Sequence, residues 1–230
     1  MQIDFSKLKL QQQESEDSQW LPVSDLMSGL MILFLFIAVS FILNAKRVAD
    51  NYQDNQEKIY QALQTEFSPK LKDWKAKIDK DTLTFIFTDP EVLFETGRSD
   101  LNAPFKKILD DFFPRYMKVV DNYKTSISEI RIEGHTSTEW DHKSSDDMAY
   151  FLNMQLSQDR TRSVLIYLYQ LENIAQYRDW IKSNLSAVGL SSSKTIKNTQ
   201  GIEDKEASKR VTFRIITNAE EQLRKLSEIK

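Results

Sequence analysis

Eighteen consecutive uncharged residues, LMSGLMILFLFIAVSFIL from Leu26 to Leu43, constrain this chain more than any other feature. At 1.5 Å rise per residue a helix of that length is about 27 Å long, close to the thickness of a bilayer's hydrocarbon core. Trp20 precedes the run at interfacial position, Pro22 suits a helix start, and Asn44, Lys46 and Arg47 end it in water. A buried core helix would normally show a polar stripe, and none is present. A cleaved signal sequence fits less well: the run exceeds a usual h-region, the segment before it is acidic, and no small-x-small site follows. A retained single span is therefore expected. The mean hydropathy of −0.49 hides it, because the polar remainder dominates the average.

Asp25 stands at the head of the apolar run, in PVSDLMSGLM. A carboxylate entering the membrane is costly, and where one persists it usually faces a protein interior or an ion path. Two readings follow from the residues alone. Either Ser24 or Asp25 caps the helix, the acid being favoured by the helix dipole, or Asp25 carries an ion that neutralises it and is later released. Ser28 and Gly29, one turn on, would let another helix approach closely. The basic residues flanking the span, Lys7 and Lys9 against Lys46 and Arg47, place the C-terminal side in the cytoplasm only weakly.

Composition excludes several classes. There is no cysteine, hence no disulfide framework, Cys-ligated metal or Cys nucleophile, and two histidines leave little room for a His-rich metal centre. A net charge of −3 argues against a general nucleic-acid binder. No paired-carboxylate or Ser/His arrangement stands at a convincing catalytic spacing, so an enzyme is not expected.

Past the span, residues 45–67 read as a continuing helix with Val48, Tyr52, Ile59, Leu63 and Phe67 on one side, ended by Ser68-Pro69. It would be either a paired coiled-coil stalk, slightly favoured, or a helix lying on its own domain. The rest has the size of one domain. Thr82–Thr88 alternates as a strand, and Asp89-Pro90 turns. Ala103–Val120 is an amphipathic helix that Pro114 should bend or break. Ser126–Glu133 is a strand ending at Gly134, and Asn153–Leu171 is a helix. A short helix near Gln176–Lys182, a strand near Leu185–Gly189 and a last strand, Val211–Thr217, complete the pattern. Strands alternating with helices predict an α/β sandwich with helices on one face of a small sheet.

Four stretches, LFETGRSDLNAPFKKILDDF (93–112), RIEGHTS (131–137), NMQLSQDRTRSVLIYL (153–168) and KRVTFRI (209–215), resemble the OmpA C-terminal-like, peptidoglycan-binding domain. That family carries Gly-His-Thr-Asp at a strand end, Asn-x-x-Leu-Ser-x-x-Arg on a helix, and Asn-x-Arg-Arg-Val at the last strand. The apolar run with Asp25 resembles the transmembrane helix of MotB-type stator subunits, which join one such helix to this same periplasmic domain. The resemblance implies a fold of a single N-terminal transmembrane helix plus an α/β (α+β sandwich) OmpA C-terminal-like periplasmic domain. Its parts would be a cytoplasmic tail over 1–22, the span over 23–44, a helical connecting segment over 45–80 and the peptidoglycan-binding domain over 81–230. A wall-binding domain lies outside the inner membrane, so this orientation overrides the charge count.

Carried over residue by residue, Asp25 matches the ion-carrying aspartate, while Asn153, Leu156 and Arg160 match the wall-binding helix. Arg160 would pair with the carboxylate of a diaminopimelate stem peptide, a task suited to its planar fork. Ser137 occupies the place of the family acid that holds the peptide's ammonium. Glu139, Asp141, Asp146 and Asp147, in the long loop from Ser137 to Leu152, are candidates to replace it. Of the last motif only Arg210 remains, in Ser208-Lys209-Arg210, and His135 is expected to order the strand end. The implied partners are a second copy of the chain, a pentamer of MotA-like (ZorA-like) membrane subunits and peptidoglycan, with no direct nucleic-acid binding. No cofactor is implied beyond the transported H⁺ or Na⁺. The SDLMSGLMILFLF wording and the acidic, Gln-rich tail are more similar to ZorB-like proteins of Zorya antiphage defence than to flagellar stators. A flagellar stator subunit and a passive wall anchor stay open as alternatives.

Overall fold

The computed structural model describes residues 5–141 and 143–227, with side chains described from Val23 onward except at 90, 91, 222, 223 and 225–227. The chain divides into two compact units, Met1–Ala49 and Asp50–Lys230. Helix α1 (Phe5–Leu71) supplies the described part of the first and enters the second. Within α1 the segment from Val23 is long and apolar enough to cross a membrane, and its apolar side chains are exposed, Phe36 at 70% and Met31 at 73%. In water such exposure would be strongly unfavourable, so lipid or partner protein is the environment it fits. The helix begins at Phe5 rather than near Pro22, since the preceding Lys-, Leu- and Gln-rich stretch already favours helix.

The second unit is built on a five-stranded sheet in the order β1-β2-β5-β3-β4. The strands are β1 (Ala76–Asp79), β2 (Thr84–Phe87), β3 (Ile127–His135), β4 (Leu185–Gly189) and β5 (Arg210–Thr217). β3 and β4 are parallel, and every other pairing is antiparallel. Register puts Ile130 opposite Ile215 and Ile132 opposite Phe213, so one sheet face is apolar. On it pack helices α3 (Ala103–Asp121) and α4 (Asp146–Gln170). The ring of Phe112 lies at the centre, 4.6 Å from Phe85, 5.1 Å from Phe213, 5.2 Å from Phe87 and 5.3 Å from Phe67. Such tilted and edge-on ring pairs add to the area they bury.

Phe67 belongs to α1, and with Ile59 and Leu63 it is fully buried in this core. The apolar stripe after the span therefore lies on the chain's own domain, and these three side chains are not available as the seam of a paired stalk. Arg115 on α3 fastens the same helix, donating to the Glu66 carboxylate (2.7 Å) and the Glu66 carbonyl (2.8 Å). Of the connecting segment expected over 45–80, everything from Asp50 on, including β1, is part of the domain unit. Pro69 falls in the last turn of α1, and Pro114 lies inside an unbroken α3.

α4 starts seven residues before the expected Asn153, at Asp146. Ser145 caps it by accepting the Met148 N–H, and Asp146 and Asp147 complement the positive helix end. The loop expected to reach Leu152 is thus shorter. Helix α5 (Arg178–Asn184) leads into β4, and the short helix α2 (Pro90–Leu93) stands at the expected turn. The sheet's second face is polar, carrying Glu129, Arg131 and Arg214. Helix α7 (Asn218–Ser227) packs there, its Glu220 accepting from Arg214 at 2.6 Å, so helices flank both faces instead of one.

Candidate functional site

Between Val23 and Asn44, Asp25 is the one charged residue. It sits well inside α1, so a capping role is not open to it, and in this span it is a carboxylate on a helix wall. Ser28 one turn on donates to the Ser24 carbonyl at 2.8 Å, a bond within the helix. Beyond the neighbouring backbone of its own helix, a Cβ at Gly29 would meet nothing within 4 Å.

The second cluster of matched residues surrounds a cavity of ≈ 570 Å³ where the end of β3 meets α4. Two glycines bring these elements together. Gly134 of β3 and Gly189 of β4 are register partners beneath α4. A Cβ on Gly134 would stand 2.7 Å from the Ser157 carbonyl oxygen, and one on Gly189 2.4 Å from the Gln158 backbone nitrogen. The close approach requires glycine at both positions, and it sets Asn153, Leu156 and Arg160 along the cavity wall. Asn153 is buried and donates to the carbonyls of Ser137 (3.2 Å) and Glu139 (3.1 Å). Its amide fixes the loop after β3.

Arg160 reaches across to the loop after α2. Its Nε donates to the Arg98 carbonyl (2.9 Å), its Nη2 to the Glu95 carbonyl (3.2 Å), and its guanidinium lies 4.7 Å from the Phe94 ring centroid. Burial lowers its pKa to about 10, which still leaves it charged at neutral pH. Among the described residues no carboxylate stands within ion-pair distance of it. The result is a partly desolvated cation whose side edge holds a loop and whose remaining N–H groups have no protein anion. Such a group favours an anion arriving from outside.

Ser137, Asn153, Leu156 and Arg160 therefore share one cavity. Arg210 does not. Its guanidinium donates to the carbonyls of Ser208 (3.0 Å) and Lys194 (3.0 Å), and burial lowers its pKa. Lys209 lines the cavity in its place, because successive residues entering a strand point to opposite sides. Of the four candidate acids only Glu139 lines the cavity; Asp141 accepts the N–H groups of Lys143 and Ser144, and Asp146 and Asp147 open α4. His135 is buried beside Glu133 at 3.4 Å. Sequence reasoning passed over Phe94, Thr96, Trp140 and Glu206, the last on helix α6 (Lys205–Ser208). Among the described residues no cluster of His, Asp and Glu is arranged to hold a metal ion.

A β1-β2-β5-β3-β4 sheet with a GHT strand end, and a helix arginine over an adjoining cavity, define an OmpA-like domain. The OmpA family model matches residues 93–209, and the chain belongs to that family. Its fold is similar to that of a putative MotB-like protein from Desulfovibrio vulgaris, with a TM-score of 0.52 at 20% identity over 72% of this chain and 96% of that one. Over its length the chain is 48% identical to the Zorya protein ZorB of Escherichia coli strain ATCC 8739, covering 95% of this chain and 96% of the relative. A second Zorya protein ZorB, from Escherichia coli O139:H28, is 26% identical over 92% of this chain and 85% of its own length. Within the OmpA family, then, this is a ZorB-type chain.

Proposed function

We propose that the chain is the B subunit of an ion-driven rotary motor in the bacterial inner membrane, anchored to peptidoglycan and serving a Zorya antiphage defence system. Residues 1–22 face the cytoplasm, and residues 45–230 lie in the periplasm. Two copies place their spans inside a pentamer of MotA-like, ZorA-like subunits. Asp25 takes up H⁺ or Na⁺ from the periplasmic side, is neutralised while it passes the apolar interface, and releases the ion inward. One charge falling through ~100 mV delivers about 2.3 kcal/mol, which turns the A subunits only if the B dimer cannot turn with them. The periplasmic domain supplies that resistance by holding the wall, with Arg160 gripping a stem-peptide carboxylate. The role is mechanical and ion-translocating, without a catalytic site or a resident cofactor.

The observation that carries this reading is the uncompensated Arg160 cation in a cavity of ≈ 570 Å³, in the same chain as a lone carboxylate on an exposed apolar helix. Two measurements test it. Arg160→Ala should lose most co-sedimentation with purified peptidoglycan, and an unchanged pull-down would remove the anchor. Asp25→Asn should abolish protection in a phage-infection assay while the complex with the A subunit still purifies. Full protection by that variant would end the ion-carrier reading.

A further inference from the structure

His135 is a buried titratable group that the anchoring role leaves unused, and it stands where two loops that line the cavity are tied together. It ends β3, so the chain beyond it runs directly into Ser137 and Glu139. Thr136 donates its N–H to the Ser191 carbonyl at 2.9 Å, and Glu203 accepts both the N–H (3.1 Å) and the hydroxyl (2.5 Å) of Thr138. The segment from Ser191 to Lys209, which brings Glu206 and Lys209 to the cavity, is thereby fastened to the loop after β3. Arg210, the register partner of His135 on β5, holds the same segment by the Ser208 and Lys194 carbonyls, both at 3.0 Å.

The imidazole is 3% exposed, and among the described residues neither of its nitrogens has a well-formed hydrogen bond. Glu133 and Arg210 are the charged groups that bear on it. Glu133, on its own strand, has Oε2 3.4 Å from Nε2, and the same oxygen accepts from the Thr212 hydroxyl of β5 at 3.2 Å. Arg210, from β5, opposes protonation of the ring. Arg160 of α4 and Lys209 border the adjoining void of ≈ 10 Å³, which is at the lower limit for one water. With one anion, a cation across the sheet and almost no solvent, a proton on His135 is poorly accommodated unless its surroundings open.

We propose that His135 is a proton-operated latch on the wall-binding site. On taking up a proton it repels Arg210, which gives up the Ser208 and Lys194 carbonyls; the two loops part, and the domain releases the wall. No covalent bond changes. The latch rests on the peptidoglycan reading and adds its regulation: acidification around the domain disengages the anchor.

The test is co-sedimentation of the full chain in detergent with purified peptidoglycan, from about pH 7.5 to about pH 5.5. Over that range carboxylates and ammonium groups keep their charge and histidine does not. Wild-type binding should fall several-fold on acidification and return on neutralisation, with the far-UV circular dichroism unchanged. His135→Asn should bind equally at both ends of the range. His142→Asn, which removes the chain's other histidine, should behave as wild type. Glu133→Gln removes the anion that favours the protonated ring and should move the loss to lower pH, which keeps the latch testable if His135→Asn fails to fold. Constant wild-type binding, a loss shared by His135→Asn, or an unshifted Glu133→Gln profile would overturn the latch, as would a domain that unfolds outright on acidification. If the wild-type chain binds no peptidoglycan at about pH 7.5, the anchoring reading falls and the latch with it.

Discussion

Replacing Phe67 by alanine distinguishes a helix built into its domain from one half of a paired stalk. The ring is fully buried, 5.3 Å from Phe85, 5.3 Å from Phe112 and 6.0 Å from Trp74, with the Arg115 guanidinium 5.1 Å from its centroid. Truncation removes these contacts from a site walled by rigid aromatics that collapse poorly into the space. The cost should lie inside the usual Phe→Ala range, about 4 kcal/mol. For a domain of this size each kcal/mol moves the melting temperature by about 2–4 °C, so a drop of roughly 8–16 °C is expected. Scanning fluorimetry of the purified full chain, followed by intrinsic tryptophan emission, reads it directly. Asp54→Ala on the same helix is the control, since Asp54 only meets the exposed Lys58 at 2.6 Å and should leave the melting temperature unchanged. A Phe67→Ala melting temperature within about 2 °C of wild type, with loss of self-association instead, would refute the assignment of this helix to the domain core.

Two further outcomes follow from the domain's close contacts. Gly189→Ala forces a methyl group to 2.4 Å from the Gln158 backbone nitrogen, so α4 must move off β4; overpacking of this kind costs about 1–3 kcal/mol or more. A urea titration should show that loss, and peptidoglycan co-sedimentation should fall with it, because the same helix carries Asn153 and Arg160. His135 should make the domain acid-labile: burial lowers its pKa from 6.5, Glu133 opposes this without overcoming it, and Arg210 adds to the lowering. Below 6.5 the unfolded chain therefore binds a proton that the folded one refuses, and stability falls as pH drops from there toward the lowered folded value. The urea midpoint should be lower at about pH 5.5 than at about pH 7.5, and His135→Asn should flatten that difference between the two.

Elements with their own periodicity were legible in the sequence. The strand read near Leu185–Gly189 has those limits in the structure, and Thr82–Thr88 contains β2. β1 was not legible: AKID holds one β-branched residue, and the strand forms because Ile78 pairs with Phe85 across a hairpin. α7 does carry a signal in the sequence. Thr217 and Glu220 stand three apart as in a capping box, and the Thr217 hydroxyl accepts the Glu220 N–H at 3.1 Å. The stripe Ile59, Leu63, Phe67 was legible as apolar, yet periodicity alone cannot say whether another chain or the same one covers it.

The cavity divides in the same way. Ser137, Asn153, Leu156 and Arg160 stand at motif positions with a role attached, whereas Phe94 and Thr96 lie in the 93–112 stretch, which carries the resemblance without marking a site, and Glu206 comes from outside all four stretches. Arg160 joins both halves, since its bonds to the Glu95 and Arg98 carbonyls cross more than sixty residues of chain. A motif can name the arginine but not this second duty, because the acceptors are backbone oxygens and leave no mark on residue type. Under the proposed anchoring role, removing its side chain frees the loop and deletes the ligand's counter-charge together, and loss of binding reports both at once.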